Sequence, residues 1–178
     1  MVAPSIHEGE FVQVEQHPAR VCEAVLARVS SEFVFFRRRW RAPKRVAKGA
    51  FDFRFHAAAG GVGLLFGQWA KARGYKVIGT VSSPEKAALA KKNGYKWVID
   101  YTKQNIVEEV KKITKGKGVP VVVDGVGKDT WAASLDCLQP RGLMVSFGNA
   151  SGPVPPVALG ILNTKGSLYV TRPSLGAY

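Results

Sequence analysis

Acidic residues are scarce in this chain: 13 Asp and Glu stand against 26 Lys and Arg, a formal net charge of +13 over 178 residues. Such a balance suits an anionic ligand, a nucleotide or a nucleic acid, although most basic surfaces are simply solvated. Cysteine is scarcer still. Cys22 and Cys137 are the two in the sequence, no C-x-x-C occurs, and no Cys/His cluster has metal-ligand spacing. The chain alone is therefore not expected to build a zinc site, and it needs no oxidising compartment. No apolar run reaches the ~20 residues of a membrane helix, and no apolar stretch follows a basic start at the N-terminus. The expectation is a cytoplasmic protein without a membrane partner and without a metal.

From residue 55 onward, short apolar runs alternate with longer amphipathic ones. "KVIGTV" (76–81), "KWVIDY" (96–101), "VPVVVDGV" (119–126), "GLMVSFG" (142–148) and "SLYVT" (167–171) read as strands, rich in Val, Ile and aromatics and bounded by Gly, Pro or Ser. "GVGLLFGQWAKARG" reads as a helix with apolar Leu64, Leu65, Trp69 and Ala72, closed by Gly74. "SSPEKAALAKKNG" opens on the Ser-Pro start signal and ends in Asn-Gly. "NIVEEVKKITKGKG" puts Ile106, Val110 and Ile113 on one face, and "KDTWAASLDCLQPRG" is expected to run helical until Pro140. Strand and helix alternating in this way predict an α/β fold, a parallel sheet with helices on both faces.

Residues 1–54 do not share this rhythm. "EFVFFRRRWRAPKRVAKG" sets an aromatic run beside a dense basic run, which reads as an irregular basic N-terminal extension. Its functional alternative is an anion-binding arm in which arginines contact phosphates and Trp40 stacks on bases.

"AFDFRF" followed by "HAAAGGVG" and a helix is strand, tight turn, helix. Ala58-x-Gly60-x-x-Gly63 is the dinucleotide-binding G-x-G-x-x-G pattern with alanine at its first position. Gly60 lets the backbone approach a pyrophosphate, Gly63 lets the helix pack close to the strand, and the amides of Gly61 and Val62 point at the anion. A site for NAD places a carboxylate about 20 residues further on, on the adenosine ribose. Here that region reads "GTVSSPEK". Hydroxyls and Lys86 stand where the carboxylate would be, and they accept a 2′-phosphate that a carboxylate would repel. The cofactor expected is NADPH. Ser82 or Ser83 also serves as a helix cap.

"FHAAAGGVG", "VIGTVSSPEKAALAKKNGYKWVIDYT", "DGVGKDTWAASLDCLQPRGLMVSFGNASGPVPP" and "LGILNTKGSLYVTRPSLGAY" resemble the bacterial NADPH-dependent quinone oxidoreductases, zinc-free medium-chain dehydrogenases/reductases related to zeta-crystallin. The resemblance runs from about Phe55 to Tyr178. It implies a Rossmann-type domain over 55–178 and hydride transfer from NADPH to a quinone or similar electrophile. It implies Ala59, Gly60, Gly61 and Val62 as the pyrophosphate loop, and Ser82, Lys86 and Tyr101 around the 2′-phosphate. Gly125 and Val126, with Phe147, Gly148 and Asn149, fall at the ends of the fourth and fifth strands, where such folds take ligands. No catalytic residue is assigned to this half. The resemblance also implies a homodimer through the edge strand near Ser167–Pro173.

Two departures stand out. The family carries a GroES-like catalytic domain before the nucleotide domain, which residues 1–54 do not resemble, and it continues past the position of Tyr178. "AFDFRF" also alternates, with Asp52 and Arg54 opposite Phe51, Phe53 and Phe55. A first strand buried on both faces would not hold two charges unless they are paired or exposed, at a cost of several kcal/mol. The expectation is that residues before Phe55 are read in a shifted frame or come from a rearranged gene. Two alternative functions stay open: a module that binds NADPH without turnover, and nucleic-acid binding through the basic face and "RRRWRAPKR", although nucleic acid is not the expected partner.

Overall fold

The computed structural model describes residues Phe53–Pro173. Six parallel strands form one sheet in the order β3-β2-β1-β4-β5-β6: β1 (Phe53–Phe55), β2 (Val77–Val81), β3 (Trp97–Asp100), β4 (Val119–Asp124), β5 (Leu138–Ser146) and β6 (Tyr169–Thr171). The helices are α1 (Gly61–Ala72), α2 (Pro84–Lys92), α3 (Ile106–Ile113), α4 (Trp131–Asp136) and α5 (Gly160–Thr164). The chain proceeds β1 to β3 in one direction and β4 to β6 in the other. The strand order therefore reverses between β1 and β4, the place where open α/β sheets carry a ligand crevice.

Each face of the sheet has its own apolar cluster. On one, Phe53, Phe55, Val77, Val121 and Val145 pack with Phe66 and Ala70 of α1 and Ala90 of α2. Phe53 and Phe55 meet Phe66 at ring-centroid distances of 5.4 and 4.8 Å. Burial of each such side chain stabilises the fold by about 1.5–3 kcal/mol. On the other face, Ile78, Ile99, Val122 and Met144 pack with Val110 of α3 and Leu135 of α4, and Ile106 and Ile113 join them partly buried.

The sequence places most elements correctly, and three differences have physical causes. The buried face of α1 is Gly63, Phe66, Gly67 and Ala70, while Leu64, Leu65 and Trp69 are half-buried and Ala72 is exposed. Glycine carries no apolar signal in the sequence, yet it is what lets this helix approach its neighbours. Second, α4 ends at Asp136, and Pro140 lies inside β5, which starts at Leu138. Proline fits there because the β4–β5 register shifts between Val119 and Val121, and strand irregularities tolerate a residue without an N–H. Third, β1 forms and pairs in parallel with both β2 and β4. Arg54 does face away from Phe53 and Phe55, and it is fully buried. Its Nη1 donates to the Ala133 carbonyl and to Cys137 Sγ, and its Nη2 donates to Ser134 Oγ. The charge is thus hydrogen-bonded rather than exposed. Asp52, Trp40 and the whole basic run lie outside the described residues.

Helix ends follow local chemistry. Ser83 caps α2, accepting from the Lys86 amide, with Pro84 at the first turn. Asn105 caps α3 by accepting from the amides of Val107 and Glu108. Gly74, at φ +76°, takes the left-handed position after α1 that a side chain would resist.

Candidate functional site

A cleft of about 660 Å³ opens at the C-terminal ends of β1, β2 and β4, over the strand-order reversal. The β1–α1 loop forms one wall. His56 N donates to the Val123 carbonyl and Ala58 N to the Thr80 carbonyl, so the loop is stitched to both neighbouring strands. Ala57 sits in the left-handed region at φ 54°, and its carbonyl accepts the Gly60 amide. A Cβ on Gly63 would lie 2.5 Å from the Ala57 carbonyl oxygen, a distance that permits only glycine. Gly60 is the helix N-cap in an extended conformation, without a capping side chain, and the first turn of α1 holds no acid. The amides of that turn have no intrahelical acceptors, and the dipole of a 12-residue helix favours an anion beside them.

The opposite wall begins where β2 ends. Lys86 Nζ donates to Ser82 Oγ at 3.0 Å, and both residues line the cleft with Tyr101, which is 49% exposed. No carboxylate lies in this corner of the lining. Asp129 is the acid that lines the cleft, and it belongs to the β4–α4 loop, where its amide donates to Ser151 Oγ. Glu85 is not part of the lining; the Ser83 hydroxyl holds its carboxyl below the ordinary value.

Beneath the cleft runs a buried polar network. Asp124 Oδ1 accepts the amides of Val126 and Gly127 at 2.8 and 3.2 Å. Its Oδ2 accepts the hydroxyls of Thr130 and Ser134 at 2.7 and 2.6 Å. His56 joins Thr80 Oγ1 through Nδ1 and Ser134 Oγ through Nε2, both at 3.0 Å. Burial, reinforced by the Arg54 charge and only partly opposed by Asp124, lowers the His56 pKa to about 3. Burial raises the Asp124 carboxyl, but the His56 ring and the hydrogen bonds from Ser134, Thr130 and the Val126 amide outweigh it and hold it below the ordinary value. Burial pushes the Cys137 thiol up.

A profile of the zinc-binding dehydrogenase family matches residues 61–174. The chain belongs to this family. It is 69% identical over 126 residues to a quinone oxidoreductase of Salmonella typhimurium, covering 71% of this chain and 38% of that protein. It is 50% identical over 124 residues to a 2-haloacrylate reductase of Burkholderia sp, covering 69% and 37%. Among solved structures, the Escherichia coli quinone oxidoreductase complexed with NADPH superposes with a TM-score of 0.71 at 60% identity, over 77% of this chain and 42% of that one. The chain thus spans about two fifths of the length of the curated relatives it matches. Although the family's description names zinc, no group of three or more His, Cys, Asp or Glu is placed to hold a metal ion among the described residues. No helix among them is long and apolar enough to cross a membrane.

Of the residues singled out in the sequence, Ala59, Gly60, Ser82, Lys86, Tyr101 and Val126 line the cleft together. Gly61 and Val62 follow Gly60 in the first turn of α1 but are not part of the lining. Gly125, Phe147, Gly148 and Asn149 sit beside it, where the β4 and β5 ends are joined: Ala150 N donates to the Gly125 carbonyl and Ser151 N to the Val126 carbonyl. The sequence reading missed His56, Thr80 and Thr130 on the floor, and Asn105, Ile106 and Asp129 on the wall. His56 could have been found, since it adjoins the glycine loop; the others come from distant segments that only the fold brings together.

Proposed function

We propose that this chain is the nucleotide-binding part of an NADPH:quinone oxidoreductase. The observation that carries the reading is the corner at the end of β2, where Lys86 and Ser82 meet with no carboxylate beside them in that part of the cleft lining. A ribose bearing a 2′-phosphate fits that corner, whereas an adenosine with a free 2′-hydroxyl finds no acceptor carboxylate there. The pyrophosphate belongs at Ala59, Gly60, Gly61 and Val62, on the free amides of α1. Tyr101 covers the adenosine end, and Val126, Gly125, Phe147, Gly148 and Asn149 border the far end of the crevice.

Bound NADPH supplies a hydride equivalent, which with a proton from water converts a quinone to a hydroquinone. The residues of this chain bind and orient the dinucleotide and keep water from its buried side. A likeness to a 2-haloacrylate reductase supports a second electrophile class, an activated alkene. The reading extends to a cytoplasmic homodimer. β6 is the last strand of the sheet among the described residues and Val170 on it is exposed; an edge strand near Ser167–Pro173 suits a second copy.

The test is NADPH oxidation by the purified chain with a naphthoquinone or a 2-haloacrylate as acceptor, after binding has been established by fluorescence titration. Quinone-dependent oxidation supports the reductase. Binding without oxidation of either acceptor assigns the chain to an NADPH-binding module instead. Salt-sensitive binding of single-stranded nucleic acid in place of NADPH would reject both.

A further inference from the structure

Arg54 and Asp124 are both fully buried, and no carboxylate among the described residues lies within ion-pair distance of Arg54. They communicate through one hydroxyl. Arg54 Nη2 donates to Ser134 Oγ at 3.3 Å, and Ser134 Oγ donates to Asp124 Oδ2 at 2.6 Å. A serine hydroxyl has one proton, and the ionised carboxylate can only accept, so that proton is committed to Asp124. The remaining Ser134 lone pair then receives His56 Nε2 at 3.0 Å, which requires the proton of the neutral ring to sit on Nε2. The bare Nδ1 accepts from the Thr80 hydroxyl at 3.0 Å. The ionised Asp124 fixes the direction of the Ser134 bond, and Ser134 in turn fixes the direction of the His56 bonds.

We propose that Ser134 is a positioning residue of the cleft, joining the buried Arg54 to the buried Asp124 and fixing His56 as its Nε2–H tautomer, so that the floor presents an uncharged ring to the dinucleotide. The inference rests on the NADPH reading for its purpose, but not for its geometry. An imidazolium at the floor would make cofactor affinity follow pH through the range in which histidine ordinarily titrates. The groups facing the ring are Arg54 on β1 just before it, Asp124 on β4, Thr80 on β2, and Ser134 and Thr130 on α4 and its approach, with Cys137 beyond Arg54. Lys86 and Asp129 line the walls above. Without the Ser134 hydroxyl, His56 Nε2 faces Asp124 Oδ2 directly, 3.7 Å away. With no hydroxyl between them, the carboxylate, which in the wild type only partly opposes burial and Arg54, favours the charged ring more strongly.

The experiment is 15N NMR of the imidazoles in the histidine-labelled full chain, with His7→Gln and His17→Gln variants to assign His56. The wild type is expected to show Nε2–H and no His56 titration between pH 5 and 8 (roughly the window around the ordinary histidine value). Ser134→Ala is expected to bring the titration into that window. Relative to wild type, the variant's NADPH affinity should then strengthen toward low pH by up to about tenfold, one pKa unit of coupling. An Nδ1–H tautomer or a titrating His56 in the wild type overturns the proposal, and so does a folded Ser134→Ala whose His56 behaves as in the wild type. Should Ser134→Ala not fold, the wild-type tautomer decides. If the wild type fails to bind NADPH, the functional reading falls while the tautomer test stands.

Discussion

A histidine kept neutral inside the protein makes folding sensitive to acid, and His56 sets the size of the effect. Its pKa is lowered from the ordinary value of 6.5 to about 3 by burial and by Arg54. Between these values the unfolded chain binds a proton that the native chain does not, so stability rises with pH. The contribution is a penalty, absent above pH 6.5 and growing by about 1.4 kcal/mol per unit as the pH falls. From pH 7.5 to pH 4.5 the penalty reaches about 2.5 kcal/mol. At pH 4.5 Asp124 still contributes, because its folded pKa lies below the ordinary value of 3.8 and its stabilisation is lost only as the pH falls through that lowered value. The assay is urea unfolding followed by tryptophan fluorescence at both pH values, on wild type and on His56→Gln. Gln cannot titrate, and groups that do not touch residue 56 titrate alike in both proteins. The difference in unfolding free energy between the two proteins should move by about 2.5 kcal/mol in favour of the variant on going to pH 4.5. A difference constant within about 0.5 kcal/mol, the usual noise of surface effects, would refute the buried neutral histidine.

Other consequences follow from the same geometry. Asp124→Asn keeps the shape but cannot accept from Thr130 and Ser134 and the loop amides together; urea midpoints should show a loss of about 3 kcal/mol or more. Gly63→Ala drives a Cβ to 2.5 Å from the Ala57 carbonyl oxygen, so thermal unfolding should report a loss of about 1–3 kcal/mol together with weakened NADPH binding. Ala57→Gly relieves a left-handed backbone at φ 54°; the same measurement should show a gain of about 0.5–1 kcal/mol, the strain relieved less the added chain entropy.

The fold was legible where periodicity and punctuation agreed. The five strands from β2 to β6 announce themselves as runs of Val, Ile and aromatics between Gly, Pro and Ser, and Ser83 with Pro84 marks the start of α2 in the sequence as it does in the structure. The end of α4 was not legible: Pro140 suggests a helix stop, but the chain had already entered β5 at Leu138. The glycine loop and the missing carboxylate at the end of β2 located one half of the cleft. The floor escaped notice because it is assembled from His56, Thr80, Asp124, Thr130 and Ser134, which share no local pattern and meet only across the sheet. Arg54 shows the same limit. Its charge in a strand looked incompatible with a buried position, because the acceptors that its Nη1 and Nη2 reach lie 79 to 83 residues further along the chain; its Nε has no partner among the described residues.

The central claim is that the Lys86–Ser82 corner takes a 2′-phosphate. Fluorescence titration of the full chain with NADPH and with NADH, repeated on Lys86→Ala, tests it most directly. The wild type should bind NADPH more tightly than NADH. The variant should lose about 1.5–3 kcal/mol for NADPH alone, roughly 10–100-fold in affinity, as expected for a hydrogen bond to a charged group. Equal affinity for the two cofactors, or an equal loss of both in a folded Lys86→Ala, would contradict it.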